Sequence, residues 1–223
     1  IYSYVLGKEM MNINLYIPSV LTWKEKSLKL RMTTDYPEHG KVVIKLEETS
    51  KEPLTINLRR PVWAAGDVAI RINGSKQKVE SVPGSFISLH RKWKKNDVIE
   101  LILPMPLYTV SMPDNVDRRA VFYGPTILAG TFGTEKRKMG DIPVFVSEEK
   151  SLTNYIKKIS DTSVSFVTTL PGGPDNVKML PFYKVADENQ TVYWDVYSPA
   201  EWNVVEEKRK AELERIAELD KMT

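Results

Sequence analysis

The chain has 223 residues and a mass of 25.5 kDa, is 42% hydrophobic and 27% charged, carries a formal charge of +3 with a pI near 8.8, and contains no cysteine. The missing thiols exclude disulfide scaffolds, Cys-ligated zinc, iron–sulfur clusters and thiolate nucleophiles within these residues, and with His39 and His90 as the two histidines there is no material for a His-rich metal site. No apolar run approaches the ~20 residues of a membrane helix, and the pI lies below the value of about 9 that marks nucleic-acid-binding domains, so neither a membrane nor a nucleic acid is expected as a partner.

The dominant pattern is short alternating runs separated by turn residues, which predicts an all-β architecture. From Met11 to Ile17, Asn12 and Asn14 alternate with Ile13, Leu15 and Ile17, and Leu28, Leu30 and Met32 alternate with Lys29 and Arg31. Further strands are expected at Val42 to Leu46, Leu54 to Leu58 and Val68 to Ile72. The last runs into Asn73-Gly74, a pair that favours a type I′ hairpin turn because both central residues need positive φ. Strands at Phe86 to Leu89 and Val98 to Leu103 bracket the basic stretch Arg91-Lys92-Trp93-Lys94-Lys95-Asn96-Asp97, which reads either as a basic patch with an interleaved aromatic suited to phosphate or sugar contact or, more plainly, as a solvated hairpin loop whose tryptophan folds back on the sheet. Pro104 and Pro106 cannot sit inside a central strand and mark the end of a first domain, placed at residues 1–110.

A second β domain is expected over residues 111–197. Arg119 to Tyr123 and Thr126 to Gly130 are apolar enough to be buried on both faces and flank a Gly124-Pro125 turn. A charged loop over 133–141 leads to a short edge strand at Ile142 to Val146, held to the edge by Pro143. Alternation returns from Ser163 to Thr169, a Pro-Gly-Gly-Pro turn follows at 171–174, and strands are expected at Phe182 to Val185 and Thr191 to Tyr197. The period then changes. Ser198-Pro199-Ala200-Glu201 combines a capping box with Pro at the first helical position, so residues 198–223 are predicted as a charged C-terminal helix.

Catalytic chemistry is hard to assemble from these residues. Glycoside hydrolysis needs two carboxyl groups flanking the sugar bond, and pairs exist at Asp35/Glu38, Glu47/Glu48, Asp114/Asp117, Glu148/Glu149 and Asp187/Glu188. Most fall in predicted turns or on polar faces, and the most compact, Asp114-Asn115-Val116-Asp117, is explained by the turn chemistry of Asx side chains. There is no Gly-x-Ser-x-Gly nucleophile elbow, and the glycine-rich stretches match neither a P-loop nor a dinucleotide fingerprint. No catalytic residue and no metal ligand is assigned. Tryptophan faces can stack on the C–H face of a sugar. Trp23, Trp93 and Trp194 are taken as the carbohydrate-contact candidates, beside the plainer reading of core packing.

An ordered series of segments resembles a known family. Asn14-Leu15-Tyr16-Ile17-Pro18-Ser19, Thr33-Thr34-Asp35-Tyr36-Pro37, Leu58-Arg59-Arg60-Pro61-Val62-Trp63-Ala64, Ile72-Asn73-Gly74, Trp93-Lys94-Lys95-Asn96-Asp97, Leu103-Pro104-Met105-Pro106 and Val121-Phe122-Tyr123-Gly124-Pro125 together resemble the β region that follows the catalytic domain in the β-L-arabinofuranosidases of glycoside hydrolase family 127. Pro181-Phe182-Tyr183-Lys184 and Tyr193-Trp194 are similar to that region's closing strands, and the helix from Ser198 lies beyond the match. The resemblance implies two consecutive antiparallel β-sandwich or jelly-roll domains, preceded in the parent protein by an (α/α)6 barrel that carries a zinc-held Cys nucleophile and a Glu acid/base. No position here matches those groups, so no cofactor is expected in this chain, and the zinc belongs by implication to the barrel. The chain begins at Ile1 with no charged and apolar leader before its first strand, so a segment of a longer protein is expected and no compartment is fixed. Implied partners are the catalytic barrel of the same parent, a second copy of the chain and a glycan. The rival readings are an autonomous carbohydrate-binding module and a hydrolase built on one of the carboxylate pairs.

Overall fold

The computed structural model describes residues 3–134, 142–169 and 176–220, and the chain divides into two compact units, Ile1–Pro106 and Leu107–Thr223. Residues 135–141 of the expected charged loop and the expected 171–174 turn lie outside the described residues.

The first unit holds β1 (Tyr4–Leu6), β2 (Met10–Ile13), β3 (Ser19–Trp23), β4 (Leu28–Thr34), β5 (Lys41–Glu48), β6 (Leu54–Arg59), β7 (Ala69–Ile72), β8 (Ser75–Gln77), β9 (Phe86–Arg91) and β10 (Val98–Ile102). They form a four-stranded sheet in the order β1-β2-β6-β9 and a six-stranded sheet in the order β3-β4-β5-β10-β7-β8. Pairing is antiparallel except between β2 and β6, which run parallel with Met10 opposite Thr55 and Ile13 opposite Leu58. One core joins the inner faces of both sheets: Met11, Ile13, Ile56, Leu58 and Ile87 from the first meet Leu30, Met32, Ile44, Leu46, Ile70 and Ile99 from the second. Alternation sets this up in β4, where Leu28, Leu30 and Met32 are buried while Lys29 and Arg31 face out to Glu47 of β5, at 3.3 and 2.7 Å. Each fully buried aliphatic side chain contributes roughly 1.5–3 kcal/mol, against about 0–1 kcal/mol for such exposed ion pairs; the core, not the charges, holds the sandwich together. The Asn73-Gly74 turn forms as expected, with φ of 51° and 81° and Ile72 opposite Ser75.

The second unit holds β11 (Leu107–Ser111), β12 (Arg118–Tyr123), β13 (Thr126–Thr131), β14 (Val144–Val146), β15 (Ile156–Lys158), β16 (Phe166–Thr168), β17 (Lys178–Pro181), β18 (Gln190–Thr191), β19 (Tyr193–Tyr197) and α1 (Pro199–Asp220). Its nine strands are joined in one hydrogen-bonded sheet, β14-β19-β12-β13-β17-β16-β15, with β11 on β12 and β18 on β13. β12 changes partner along its length: residues 118–120 pair with β19 and 121–123 with β13. Trp194 and Phe145 anchor its core, and Gly130 allows the Trp194 ring to approach, since a Cβ there would stand 2.8 Å from Trp194 Cζ2. Because β11 pairs with β12 from Leu107 onward, residues 107–110 lie with the second unit, not the first.

Two local expectations are corrected. The strand expected at 182–185 is a 3-10 turn, Phe182–Lys184, and the ladder ends at Pro181, a residue that offers no N–H to continue it. The strand expected to reach Ile17 stops at Ile13, after which Asn14 donates its backbone N–H to Ser3 and the chain turns away. α1 begins with the expected capping box: Glu201 N–H donates to Ser198 Oγ at 3.3 Å and Ser198 N–H to Glu201 Oε2 at 2.8 Å.

Candidate functional site

The early end of β2 has a consequence for the surface. Since β2 and β6 are parallel neighbours, the segments leaving them, 14–18 and 59–63, emerge at the same end of the same sheet. A third segment, Tyr36-Pro37 after β4, joins them, shaped by Thr34: its Oγ1 donates to the Lys41 carbonyl at 2.7 Å and accepts the Tyr36 N–H at 3.0 Å, and the Tyr36-Pro37 peptide is cis. The three segments enclose a pocket of about 410 Å³ whose walls are Asn14, Tyr16, Tyr36, Arg59 and Trp63, closed by Pro18, Pro37 and Pro61. Ile17 and Val62 form its lips, 51% and 75% exposed.

Its floor is rigid. Tyr16 is 3% exposed and donates its hydroxyl to the Arg59 carbonyl at 2.5 Å, tying segment 14–18 to segment 59–63. Burial pushes the Tyr16 phenol well above its ordinary range, with the Tyr36 ring adding to the effect and Arg59 opposing it, so the hydroxyl stays a donor. The Tyr16 ring meets Tyr36 edge-on, with centroids 5.9 Å apart, and Tyr36 lies nearly parallel to Trp63, at 25° and 6.3 Å. Behind Trp63, the buried Arg60 guanidinium gathers the backbone. Nε and Nη2 each donate to the Ala64 carbonyl at 3.1 Å, Nη2 to Gly66 at 2.7 Å and Nη1 to Ser81 at 2.6 Å. Among the described residues no acid pairs with it; three backbone carbonyls and the Ser81 hydroxyl satisfy its fork, so it fixes the loop after β6 against residue 81.

The three tryptophans chosen from the sequence stand elsewhere, and all are corrected to core residues. Trp23 is 7% exposed, Trp93 3% and Trp194 0%. Trp93 donates its indole N–H to the Leu54 carbonyl at 2.8 Å and is covered by the Arg91 guanidinium, 5.3 Å from its ring. A ring enclosed by its own protein has no face to offer a sugar. Trp63 was distinguishable in principle: Pro61 takes it out of strand alternation and into a loop, where aromatic rings reach the surface.

The carboxylates are engaged structurally. Glu47, whose pKa is lowered first by the Arg31 hydrogen bond, serves the β4–β5 ladder. Asp117 pairs with Lys150 at 2.8 Å, and Asn115 accepts the Asp117 N–H at 3.1 Å in the expected Asx turn. Asp195 accepts two hydrogen bonds from Arg118, at 2.8 and 3.1 Å. His90 shares a hydrogen bond with Thr55. Among the described residues no three His, Asp or Glu side chains cluster as metal ligands, and the sequence contains no cysteine to offer the thiolate donors of the zinc site that the resemblance implies. No helix among the described residues is long and apolar enough to cross a membrane.

Comparison with known proteins bears on the same segment. Residues 10–105 match the family model described as beta-L-arabinofuranosidase, GH127 middle domain. None of the curated proteins matches the chain. Among solved structures, a glycoside hydrolase is similar at 21% identity and a TM-score of 0.67, over 88% of this chain and 37% of its own. A GH127 β-L-arabinofuranosidase from Geobacillus stearothermophilus T6 is similar at 18% identity and a TM-score of 0.66, over 87% and 35%. A further GH127 β-arabinofuranosidase matches at 19% identity and a TM-score of 0.67, over 88% and 37%. At these identities the likeness is one of fold, and the chain spans little more than a third of each of these proteins. Residues 10–105, the stretch similar to the GH127 middle domain, supply every wall of the pocket.

Proposed function

We propose that this chain is the non-catalytic β region of a glycan-degrading hydrolase, and that it packs against a helical catalytic barrel acting on arabinofuranosyl linkages. The observation that carries the reading is the coverage. The likeness covers 88% of this chain, more than either unit alone, while about two thirds of each enzyme matched lies outside it. The state of the carboxylates supports it: Glu47, Asp117 and Asp195 are bound in ion pairs that shape the fold, which leaves them poor acids and bases for a bound sugar. The purified chain is expected to leave aryl β-L-arabinofuranosides unhydrolysed. Turnover that disappears in Asp114→Asn or Asp117→Asn would overturn the reading in favour of a carboxylate hydrolase.

A further inference from the structure

We infer that the pocket of the first unit binds a single neutral sugar residue of a glycan, held between the Tyr36–Trp63 platform and the Arg59 guanidinium. The site is of the right scale, about 410 Å³, within the roughly 300–1,000 Å³ of small-molecule sites. Its platform is laid out for a flat apolar face. Tyr36 and Trp63 are within 25° of parallel with centroids 6.3 Å apart, so the two rings make one continuous step. Tyr16 stands at 74° to Tyr36 and supports it from the buried side. The hydrogen bonds of Thr34, Tyr16 and Arg60 set this arrangement before any ligand arrives, which lowers the ordering cost of binding.

The polar groups fit hydroxyls. Arg59 is exposed at the pocket wall and its guanidinium makes no hydrogen bond or ion pair with any described residue. The Trp63 indole N–H likewise has no partner in the described chain. Both are donors only, suited to the lone pairs of ring and hydroxyl oxygens. No carboxylate lines the pocket, so a cationic ligand has no counter-charge. One arginine, with no second cation beside it, is a weak site for phosphate. The combination of an aromatic step, two donors aimed at oxygen lone pairs and a single positive charge with no carboxylate beside it describes a furanose or pyranose ring. This deepens the accessory reading and rests on it for the choice of a glycan over other neutral rings.

The test is a titration of the 223-residue chain with methyl β-L-arabinofuranoside, methyl β-D-xylopyranoside and methyl β-D-glucopyranoside, followed by tryptophan fluorescence and by saturation-transfer NMR. At least one of the three is expected to bind saturably, with a dissociation constant of about a millimolar. Trp63→Ala is expected to weaken that binding at least about tenfold by removing half of the platform. Arg59→Gln alters only an exposed side chain, cannot unfold the unit, and is expected to weaken it by about the same factor. Absence of saturation for all three sugars, or binding that both variants leave unchanged, overturns the proposal. Hydrolysis by the chain alone would instead count against the accessory reading, so the two failures are distinguishable.

Discussion

Arg60 is the residue on which the pocket's geometry most depends, and its replacement gives the sharpest stability prediction. Its guanidinium satisfies three backbone carbonyls, those of Ala64, Gly66 and Ser81, and reaches Ser81 Oγ at 3.2 Å. Hydrogen bonds to charged groups are worth roughly 1.5–3 kcal/mol each. Gly66 and Ser81 border an open depression, where water can replace the lost donors, whereas Ala64 is fully buried. Counting one carbonyl left unsatisfied and two rehydrated, Arg60→Ala should destabilise the first unit by about 2–4 kcal/mol. Arg60→Lys keeps the charge but not the planar fork, and should recover about half of that. Urea unfolding gives the free energy, and amide exchange over residues 61–66 and 79–85 locates it; these segments should lose protection before β4 and β5 do. If both variants shift stability by less than about 0.5 kcal/mol, the range of an ordinary surface substitution, the guanidinium does not organise the loop and the rigidity argued for the pocket is wrong.

In the second unit, Gly130→Ala drives a methyl into the fully buried Trp194 ring and should destabilise by about 1–3 kcal/mol, with Trp194→Phe partly relieving the loss in the double variant. Trp93→Phe leaves the Leu54 carbonyl without its donor and should cost about 1–3 kcal/mol by thermal or chemical melting, with no effect on sugar titration. Attachment of α1 should depend on pH. The Glu201 pKa falls from its ordinary 4.5 to about 2, first through the Ser198 backbone N–H and then through Lys150, so its contribution is complete above about pH 4.5 and disappears as pH falls towards 2. Lys150 is raised above 10.5 by Asp117 and then Glu201, so its contribution is present below pH 10.5 and is lost as pH climbs past the raised value. Circular dichroism of the helix and fluorescence of Trp202, stacked on Tyr197 at 5.8 Å, should both show the acid transition, and Glu201→Gln should abolish it.

Much of the fold was legible because alternation at period two is a strong signal wherever one face is buried. β4, β5, β6 and β13 fall at or within a residue or two of their expected limits, and the Asn73-Gly74 turn and the Ser198 capping box follow from local chemistry. What could not be read was pairing. β2 ends at Ile13 although alternation continues to Ile17, because its parallel partner β6 also gives out one residue beyond Leu58. Short strands such as β1, β15 and β18 carry too few residues for a period and exist because a neighbour offers an edge. The candidate site shows the same division. The segments at 14–18, 36–37 and 59–63 were all singled out by resemblance, but that they converge is a property of the parallel β2–β6 pair, which no local pattern encodes. The candidate tryptophans show the same limit: Trp93 folds back on the sheet as its hairpin suggested, but the partner of its indole N–H, the Leu54 carbonyl, lies 39 residues away and no local pattern names it.

On the proposed function, these two β units serve a catalytic part they do not contain. The most direct test is to produce the region that precedes Ile1 in the gene separately, mix it with this chain, and measure both complex formation and hydrolysis of an aryl β-L-arabinofuranoside. A stable complex is expected, in which the preceding region is helical and gains activity or thermal stability on mixing, while this chain alone hydrolyses nothing. A preceding region that encodes no helical domain, or one that neither binds this chain nor changes on mixing, would contradict it.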